Sequence, residues 1–368
     1  MSRTGKNIYK RKDGRWEGRF VKERIDGKIR YGAVYAHTYS EVCKKLEIAK
    51  QEWQKKDIKP VKDGKLSTIA ENWLDESRTS LKESSVVRYQ DILRCYILPV
   101  FGERTLTEIK NEELKLFCND LLSHGGTQNQ GLSKTTVSQI LTVMSCIRVY
   151  AIGHDYMVSY NTKCVSLKKD KKKIRVFTEK EQELLVEYIR NHMDSVGLGI
   201  YLCLYTGIRV GELCALKWDS IFLEEGMMHI AETMQRIRVD HVPDRKTEVK
   251  IYTPKTGSSI RDIPLPRKLI DMLSPFYQED AFLLTGDKDH FMEPRTVQVH
   301  FKKILSACEI RDANFHTTRH TFATRCVERG FDVKSLSEIL GHASVSITMD
   351  RYVHPSMDLK SRNMELLF

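Results

Sequence analysis

The chain reads Asn314-Phe315-His316-Thr317-Thr318-Arg319-His320, then Leu340-Gly341-His342-Ala343, then Asp350-Arg351-Tyr352, and these stretches decide its fold. Among them His316, Arg319 and His342, all able to donate to phosphate oxygens, lead to a tyrosine near the C-terminus. Far upstream, Thr206-Gly207-Ile208-Arg209-Val210-Gly211-Glu212-Leu213 supplies a second arginine, and Thr253-Pro254-Lys255-Thr256-Gly257 sets a lysine in a turn. Side chains of these kinds suit gripping a phosphodiester and attacking it with a phenol.

A phosphodiester under attack passes through five-coordinate phosphorus, with negative charge on its non-bridging oxygens. Without a metal, fixed cations and donors in a water-poor site must meet that charge. Arginine fits, because its planar fork makes two parallel hydrogen bonds and keeps its charge. Arg209 and Arg319 are therefore the expected clamp, with Glu212 able to hold the Arg209 guanidinium in place. Tyr352 is the expected nucleophile, and a phenol of pKa about 10 needs cationic surroundings or a base. Lys255 is the expected general acid for the departing 5′ oxygen. His316 is the base or donor on the nucleophile's side and His342 a donor to the phosphate. His316 and His320 also stand at the spacing of two zinc ligands, but Thr317 occupies the place a metalloprotease gives to glutamate. His320 therefore reads as a packed helix residue, and no metal or cofactor is expected.

Around these motifs, residues 174–368 read as mainly helical with a small sheet. Thr178-x-x-Glu181 is a capping box, and the apolar run Val196–Tyr205 predicts a buried helix. Strands are expected at Met227–Glu232, Val249–Thr253 and Ile260–Leu265, with Pro254–Ser259 turning between the last two. From Pro294 the chain reads as four helical pieces, broken near Asp312, Gly330 and Gly341. Residues 66–167 carry helical stripes. Thr68-x-x-Glu71 should cap the first helix, and Pro99 should end the second, over Glu83–Leu98. A third covers Glu112–Ser123, closed by Gly125-Gly126, and the longest runs Ser133–Gly153. Residues 1–57 read as strands Asn7–Lys12, Arg15–Glu23 and Ile29–Tyr35, joined at Asp13-Gly14 and Asp26-Gly27. A helix from Thr38 to Lys55 should lay Val42, Leu46, Ala49 and Trp53 over the sheet face that carries Trp16 and Phe20. Arg15 and Arg19 then share the open face.

The chain has 368 residues, 41% hydrophobic and 30% charged, which is ordinary for two or three globular domains. Of the net charge of +11, residues 1–64 hold +9, from 18 lysines and arginines against 9 acids. That asymmetry predicts a nucleic-acid-binding arm on a nearly neutral body. Lys171, Lys172 and Lys173, in a basic linker, are placed to lie along phosphates. Nine cysteines, scattered singly and without a C-x-x-C pair, argue against a disulfide framework or a cysteine–zinc site. No stretch reads as a membrane span or a signal peptide, so a cytoplasmic location without membrane contact is expected.

T-G-I-R-V-G-E-L, P-K-T-G-S-S-I-R-D-I-P-L, H-T-T-R-H, L-G-H-A-S and the trailing Tyr352, in this order, resemble the tyrosine recombinase, or phage integrase, family. The family's active-site positions match Arg209, Lys255, His316, Arg319, His342 and Tyr352. The likeness implies three domains. Residues 1–57 would be a small α+β arm-type DNA-binding domain, a three-stranded sheet plus helix. Residues 66–167 would be an all-α core-binding domain, and residues 174–368 a mainly-α catalytic domain with a small β-sheet. It further implies a site-specific DNA recombinase that works through a 3′-phosphotyrosyl intermediate to integrate and excise a mobile element. Such an enzyme acts as a homotetramer on core and arm sites of double-stranded DNA, in the bacterial cytoplasm and nucleoid-associated when bound. An excisionase and a host DNA-bending protein are further partners of such systems. Three other functions would use similar residues: a type IB topoisomerase, which needs no partner duplex; a chromosome-dimer resolvase of the same family, which would not need residues 1–64; and a DNA-binding regulator with an idle site.

Overall fold

The structure is a computed structural model that describes residues 7–11, 13–25, 28–56, 62–126, 130–167, 174–238, 247–253, 259–353, 361 and 364–365. For residues 23–25, 28 and 52–56 it describes the backbone alone. The chain forms two compact units, Met1–Lys169 and Asp170–Phe368.

The first unit opens with an antiparallel sheet of β1 (Ile8–Lys10), β2 (Trp16–Ile25) and β3 (Lys28–Ala36), in that order. Trp16 lies opposite Ala36, and a bulge interrupts the ladder between Val21 and Glu23. Helix α1 (Tyr39–Lys56) covers the face of Phe20 with buried Val42 and Leu46, as the stripe predicts. The Asp26-Gly27 turn and the Trp53 side chain lie outside the described residues.

Helix α2 (Leu66–Ser77) starts before the expected Thr68 cap. Lys65 is the N-cap and makes no side-chain cap bond; the amides of Leu66 and Ser67 donate instead to the carbonyls of Arg104 and Gly102 at 2.9 and 3.0 Å. Burial of Leu66 against this loop outweighs the local capping signature. Pro99 does not end the second helix either. Helix α3 (Glu83–Ile92) widens into a π turn over Leu93–Ile97 and continues as α4 (Leu98–Phe101). The π turn shifts the hydrogen-bond register, so Pro99 falls in the first turn of α4, where its missing N–H loses little. Helices α5 (Asn111–His124) and α6 (Lys134–Gly153) complete the bundle, α6 being capped by Ser133 Oγ, which accepts from the Thr136 amide at 3.1 Å. By length and composition α6 could cross a membrane, contrary to the sequence expectation, because most of its interruptions are uncharged. Here its Val137, Ile140, Val143, Met144 and Ile147 pack with Leu66, Ile97 and Leu114 in the bundle core.

The second unit begins at α7 (Glu179–Asn191). Its predicted capping box is present: the Glu181 amide donates to Thr178 Oγ1 at 3.2 Å and the Thr178 amide to Glu181 Oε2 at 2.8 Å. Helix α8 (Ser195–Thr206) is buried on nearly every side, as its unbroken apolar run requires, and leads into the short α9 (Val210–Ala215). Strands β4 (Ile221–Phe222), β5 (Met227–Ile230), β6 (Thr233–Arg238), β7 (Thr247–Tyr252) and β8 (Arg261–Pro264) follow. They form two sheets, β4-β5-β8 and β6-β7. The expected pairing across Pro254–Ser259 is therefore absent: β7 pairs with β6, and β8 with β5. Strand β6 escaped the sequence pattern because its buried residues, Met234 and Ile237, are spaced by three rather than two. Helices α10 (Arg267–Leu273), α11 (Pro294–Ala307), α12 (His316–Glu328), α13 (Val333–Leu340) and α14 (Val345–Tyr352) close the chain. The last four match the predicted pieces, with positive φ at Asp312, Gly330 and Gly341 marking the breaks.

Helix α8 carries the core under the site, so Leu202→Ala, at a fully buried position, should destabilise the protein by about 3 kcal/mol. Thermal melting of the full chain should show the catalytic unit's transition lowered by roughly 6–12 °C.

Candidate active site

Arg209 sits just before α9, where its backbone amide donates to Glu212 Oε2 at 2.9 Å and its Nη1 to Glu212 Oε1 at 2.7 Å. Its Nη2 reaches the Gly341 carbonyl at 3.3 Å. Glu212 is buried, and Arg261 on β8 holds the same carboxylate through Nη2 at 2.9 Å and Nη1 at 3.2 Å. Arg261 also donates to the carbonyls of Ile339 (2.5 Å) and Ser259 (3.1 Å). Burial alone would raise the Glu212 pKa; the hydrogen bonds and charge of Arg261, then of Arg209, outweigh it and hold the value at about 2. Gly341 has φ +63°, and a Cβ there would lie 3.0 Å from Arg261 Nη1, so both backbone and space require glycine.

Arg319 enters from α12 and is 2% exposed. Its Nη1 donates to the Gly207 carbonyl at 2.8 Å and its Nη2 to the Leu340 carbonyl at 2.7 Å. Burial, followed by the neighbouring charge of Arg209, lowers its pKa to about 9, which leaves it cationic at neutral pH. The start of α12 is set by Asn314, whose side-chain oxygen accepts from the His316 amide at 2.9 Å. His316 lies at the solvent edge, and the protein beneath it and the charges of Arg319, Arg209 and Arg351 pull its pKa to about 4.

His342 follows α13, and its Nδ1 is 2.8 Å from Oγ1 of the buried Thr348 on α14. Burial and the arginines Arg319, Arg209, Arg351 and Arg261 bring its pKa to about 3. Tyr352, the last residue of α14, is buried, its ring parallel to His342 with centroids 6.5 Å apart. Its hydroxyl is 2.8 Å from His320 Nδ1. Burial raises the phenol's pKa despite the opposing charges of Arg319, Arg351 and Arg209. Arg209, His316, Arg319, His342 and Tyr352 thus come together from separate segments. Lys255 and Lys171–Lys173 lie outside the described residues.

His320 is the clearest correction to the sequence expectation. It is half-buried and bonded to the tyrosine hydroxyl, with its ring edge-on to His316 at 4.6 Å. Its place in H-T-T-R-H, one helical turn after His316, was the available signal. Among the described residues no third His, Cys, Asp or Glu joins the pair. Arg261 and Thr348 also escaped notice, because only the fold brings them beside Glu212 and His342.

In the first unit, Arg15 and Arg19 do share the open face of the sheet. The Arg15 guanidinium lies 5.8 Å from the Tyr35 ring centre and that of Arg19 5.8 Å from Tyr9. Arg11, not singled out from sequence, lies 5.5 Å from Tyr35. Glu17, buried beneath them, pairs with Arg19 at 2.6 Å and Arg11 at 3.2 Å.

Fold and site together define a tyrosine recombinase, an enzyme of site-specific DNA strand breakage and rejoining. The chain belongs to the phage integrase family, whose model matches residues 175–358; a second model, the phage integrase N-terminal SAM-like domain, matches residues 65–122. A tyrosine recombinase XerC-like protein of Caldanaerobacter subterraneus subsp. tengcongensis is 27% identical, with 83% of each chain covered. The ICEBs1 integrase of Bacillus subtilis is 23% identical, with 87% of each covered. Among solved structures, the Tn1549 transposon integrase in complex with a circular intermediate DNA superposes with TM-score 0.68 at 19% identity, covering 83% of this chain and 99% of that one. A lambda integrase tetramer bound to a Holliday junction gives TM-score 0.60 at 15% identity, covering 95% and 98%. At these identities the structural likenesses establish the fold.

The ion cluster sets a pH dependence. Because the folded pKa of Glu212 lies below the ordinary 4.5, its stabilisation is complete above about pH 4.5 and is lost as pH falls towards about 2. Denaturant titrations across that window should show Glu212→Gln losing less stability than the wild type as pH falls. At neutral pH the variant should be less stable by about 3 kcal/mol, since Arg261 then stays buried without its counter-charge.

Proposed function

We propose that Tyr352 attacks a scissile DNA phosphate, leaving a 3′-phosphotyrosyl link and a free 5′-hydroxyl. The observation that carries this is that Tyr352, whose hydroxyl is 2.8 Å from His320 Nδ1 and whose ring lies parallel to His342, sits within the field of Arg319 and Arg209. Arg209 and Arg319 grip the non-bridging oxygens, where negative charge grows in the transition state. His342, oriented by Thr348, and His316 donate to the same phosphate. Lys255 protonates the departing 5′ oxygen. The bond energy is kept in the phosphotyrosine, so the 5′-hydroxyl of a partner duplex can reverse the step without ATP.

Residues 66–167 and 174–368 take the core sites of double-stranded DNA, and residues 1–57 the arm sites. In the arm domain Arg11, Arg15 and Arg19 present their charges above exposed tyrosines, a surface suited to a DNA groove. Four copies act on two duplexes to integrate and excise a mobile element, in the bacterial cytoplasm and at the nucleoid. The integrase relatives and the DNA-bound integrases of the same fold support this assignment. An excisionase and a host DNA-bending protein are the accessory factors it would use.

Nicked DNA carrying the element's core site, incubated in EDTA and run on denaturing gels, should give a covalent protein–DNA adduct with wild type and none with Tyr352→Phe. Tight binding with no adduct on any such site would instead mark a regulator. Arg19→Ala should weaken arm-site binding across sequences and reduce the slope of log K against log salt by about 1, as measured by titration at several salt concentrations.

A further inference from the structure

The phenol must lose a proton when it attacks phosphorus, and the buried Tyr352 holds that proton more tightly than a free tyrosine. Three imidazoles surround it, and their hydrogen bonds separate them. His342 commits Nδ1 to Thr348 and presents its ring face in parallel to Tyr352. His316 lies at the solvent edge with its ring edge-on to His320. His320 alone of the three holds a ring nitrogen at 2.8 Å from Tyr352 Oη.

We infer that His320, rather than His316, is the proton acceptor for Tyr352 during DNA cleavage, and its donor during rejoining. The inference rests on Tyr352 being the nucleophile. For Nδ1 to accept, His320 must be the neutral tautomer with its proton on Nε2. Burial, then the neighbouring His316, Arg351 and Arg319, favour that neutral form by holding the pKa at about 4. So weak a base does not ionise a phenol beforehand. The proton moves as the Oη–P bond forms, when the oxygen gives a lone pair to phosphorus and its O–H becomes far more acidic. The Oη–H bond breaks and its proton goes to His320 Nδ1, giving an imidazolium. The P–O5′ bond breaks, and the 5′ oxygen takes a proton from the leaving-group side. On rejoining, the incoming 5′-hydroxyl gives its proton back to the leaving-group side as it attacks phosphorus, the Oη–P bond breaks, and His320 returns the proton to Oη.

A glutamine at 320 can still hold the Tyr352 hydroxyl but cannot carry its proton away. His320→Gln is therefore compared with wild type on the nicked substrate, each with Tyr352 or with 3,5-difluorotyrosine, a more acidic phenol, incorporated at position 352. Thermal melting and DNA binding check that every protein is folded. Adduct formation should slow roughly 10²–10⁴-fold in His320→Gln, and fluorination should recover at least tenfold more rate in that variant than in wild type. A His320→Gln enzyme as fast as wild type would overturn the inference. So would an equal response of both proteins to fluorination, which marks His320 as a positioning residue. A His320→Gln protein that fails to fold is replaced by His320→Asn and judged by the same two comparisons. Wild type forming no adduct would instead sink the assignment of Tyr352 as nucleophile, a distinct outcome on the same gel.

Discussion

Arg319 is buried to 2% exposure with its fork ending on two backbone carbonyls rather than on a carboxylate. Those carbonyls, of Gly207 and Leu340, stand at the C-terminal ends of α8 and α13, where unpaired C=O groups and the helix dipole supply partial negative charge. This is enough to keep a cation inside the protein and too little to neutralise it. The lowered pKa of Arg319 records the same imbalance: the site carries surplus positive charge that an incoming phosphate can relieve. Arg261 shows the opposite arrangement, with its guanidinium held by both oxygens of Glu212. It stabilises the pocket and steadies the partner of Arg209 from behind.

Everything around Arg319 follows from bringing those two helix ends together. Both helices stop at a glycine in the left-handed conformation, Gly207 and Gly341. The Gly341 corner also presents a carbonyl to Arg209, sets His342 in place and sends the chain into α14. A side chain at 341 would push on Arg261 and, through Glu212, on Arg209. Tyr352 stands at the end of this path, its phenol kept protonated by burial and its hydroxyl bonded to His320.

Much of this was legible in the sequence. The order of T-G-I-R, H-T-T-R-H, L-G-H-A and Tyr352 marked Arg209, His316, Arg319, His342 and Tyr352, which the fold brings together. The long periodic helices were also legible, α8 by its unbroken apolar run and α12 to α14 by the residues that separate them. What failed was local punctuation overruled by packing. Burial of Leu66 outweighed the capping signature at Thr68, and a π turn carried the second helix past Pro99. The sheet of the second unit was misassembled because Thr233–Arg238 lacks simple alternation, so β7 was given the wrong partner. Supporting contacts were out of reach for a different reason: Arg261 lies 49 positions from Glu212, and His320 lies 32 from Tyr352. No short-range pattern joins residues that far apart.

The claim on which the account turns is that a phosphodiester becomes attached to one particular oxygen, Tyr352 Oη. The trapped adduct can be digested with nuclease and trypsin and the peptides sequenced by mass spectrometry. Cleavage after Arg351 and Lys360 would release residues 352–360, a peptide whose single tyrosine is Tyr352. The account predicts a nucleotide remnant joined through its 3′ phosphate to that tyrosine. A remnant on any other peptide, or one joined through a 5′ phosphate, would contradict it.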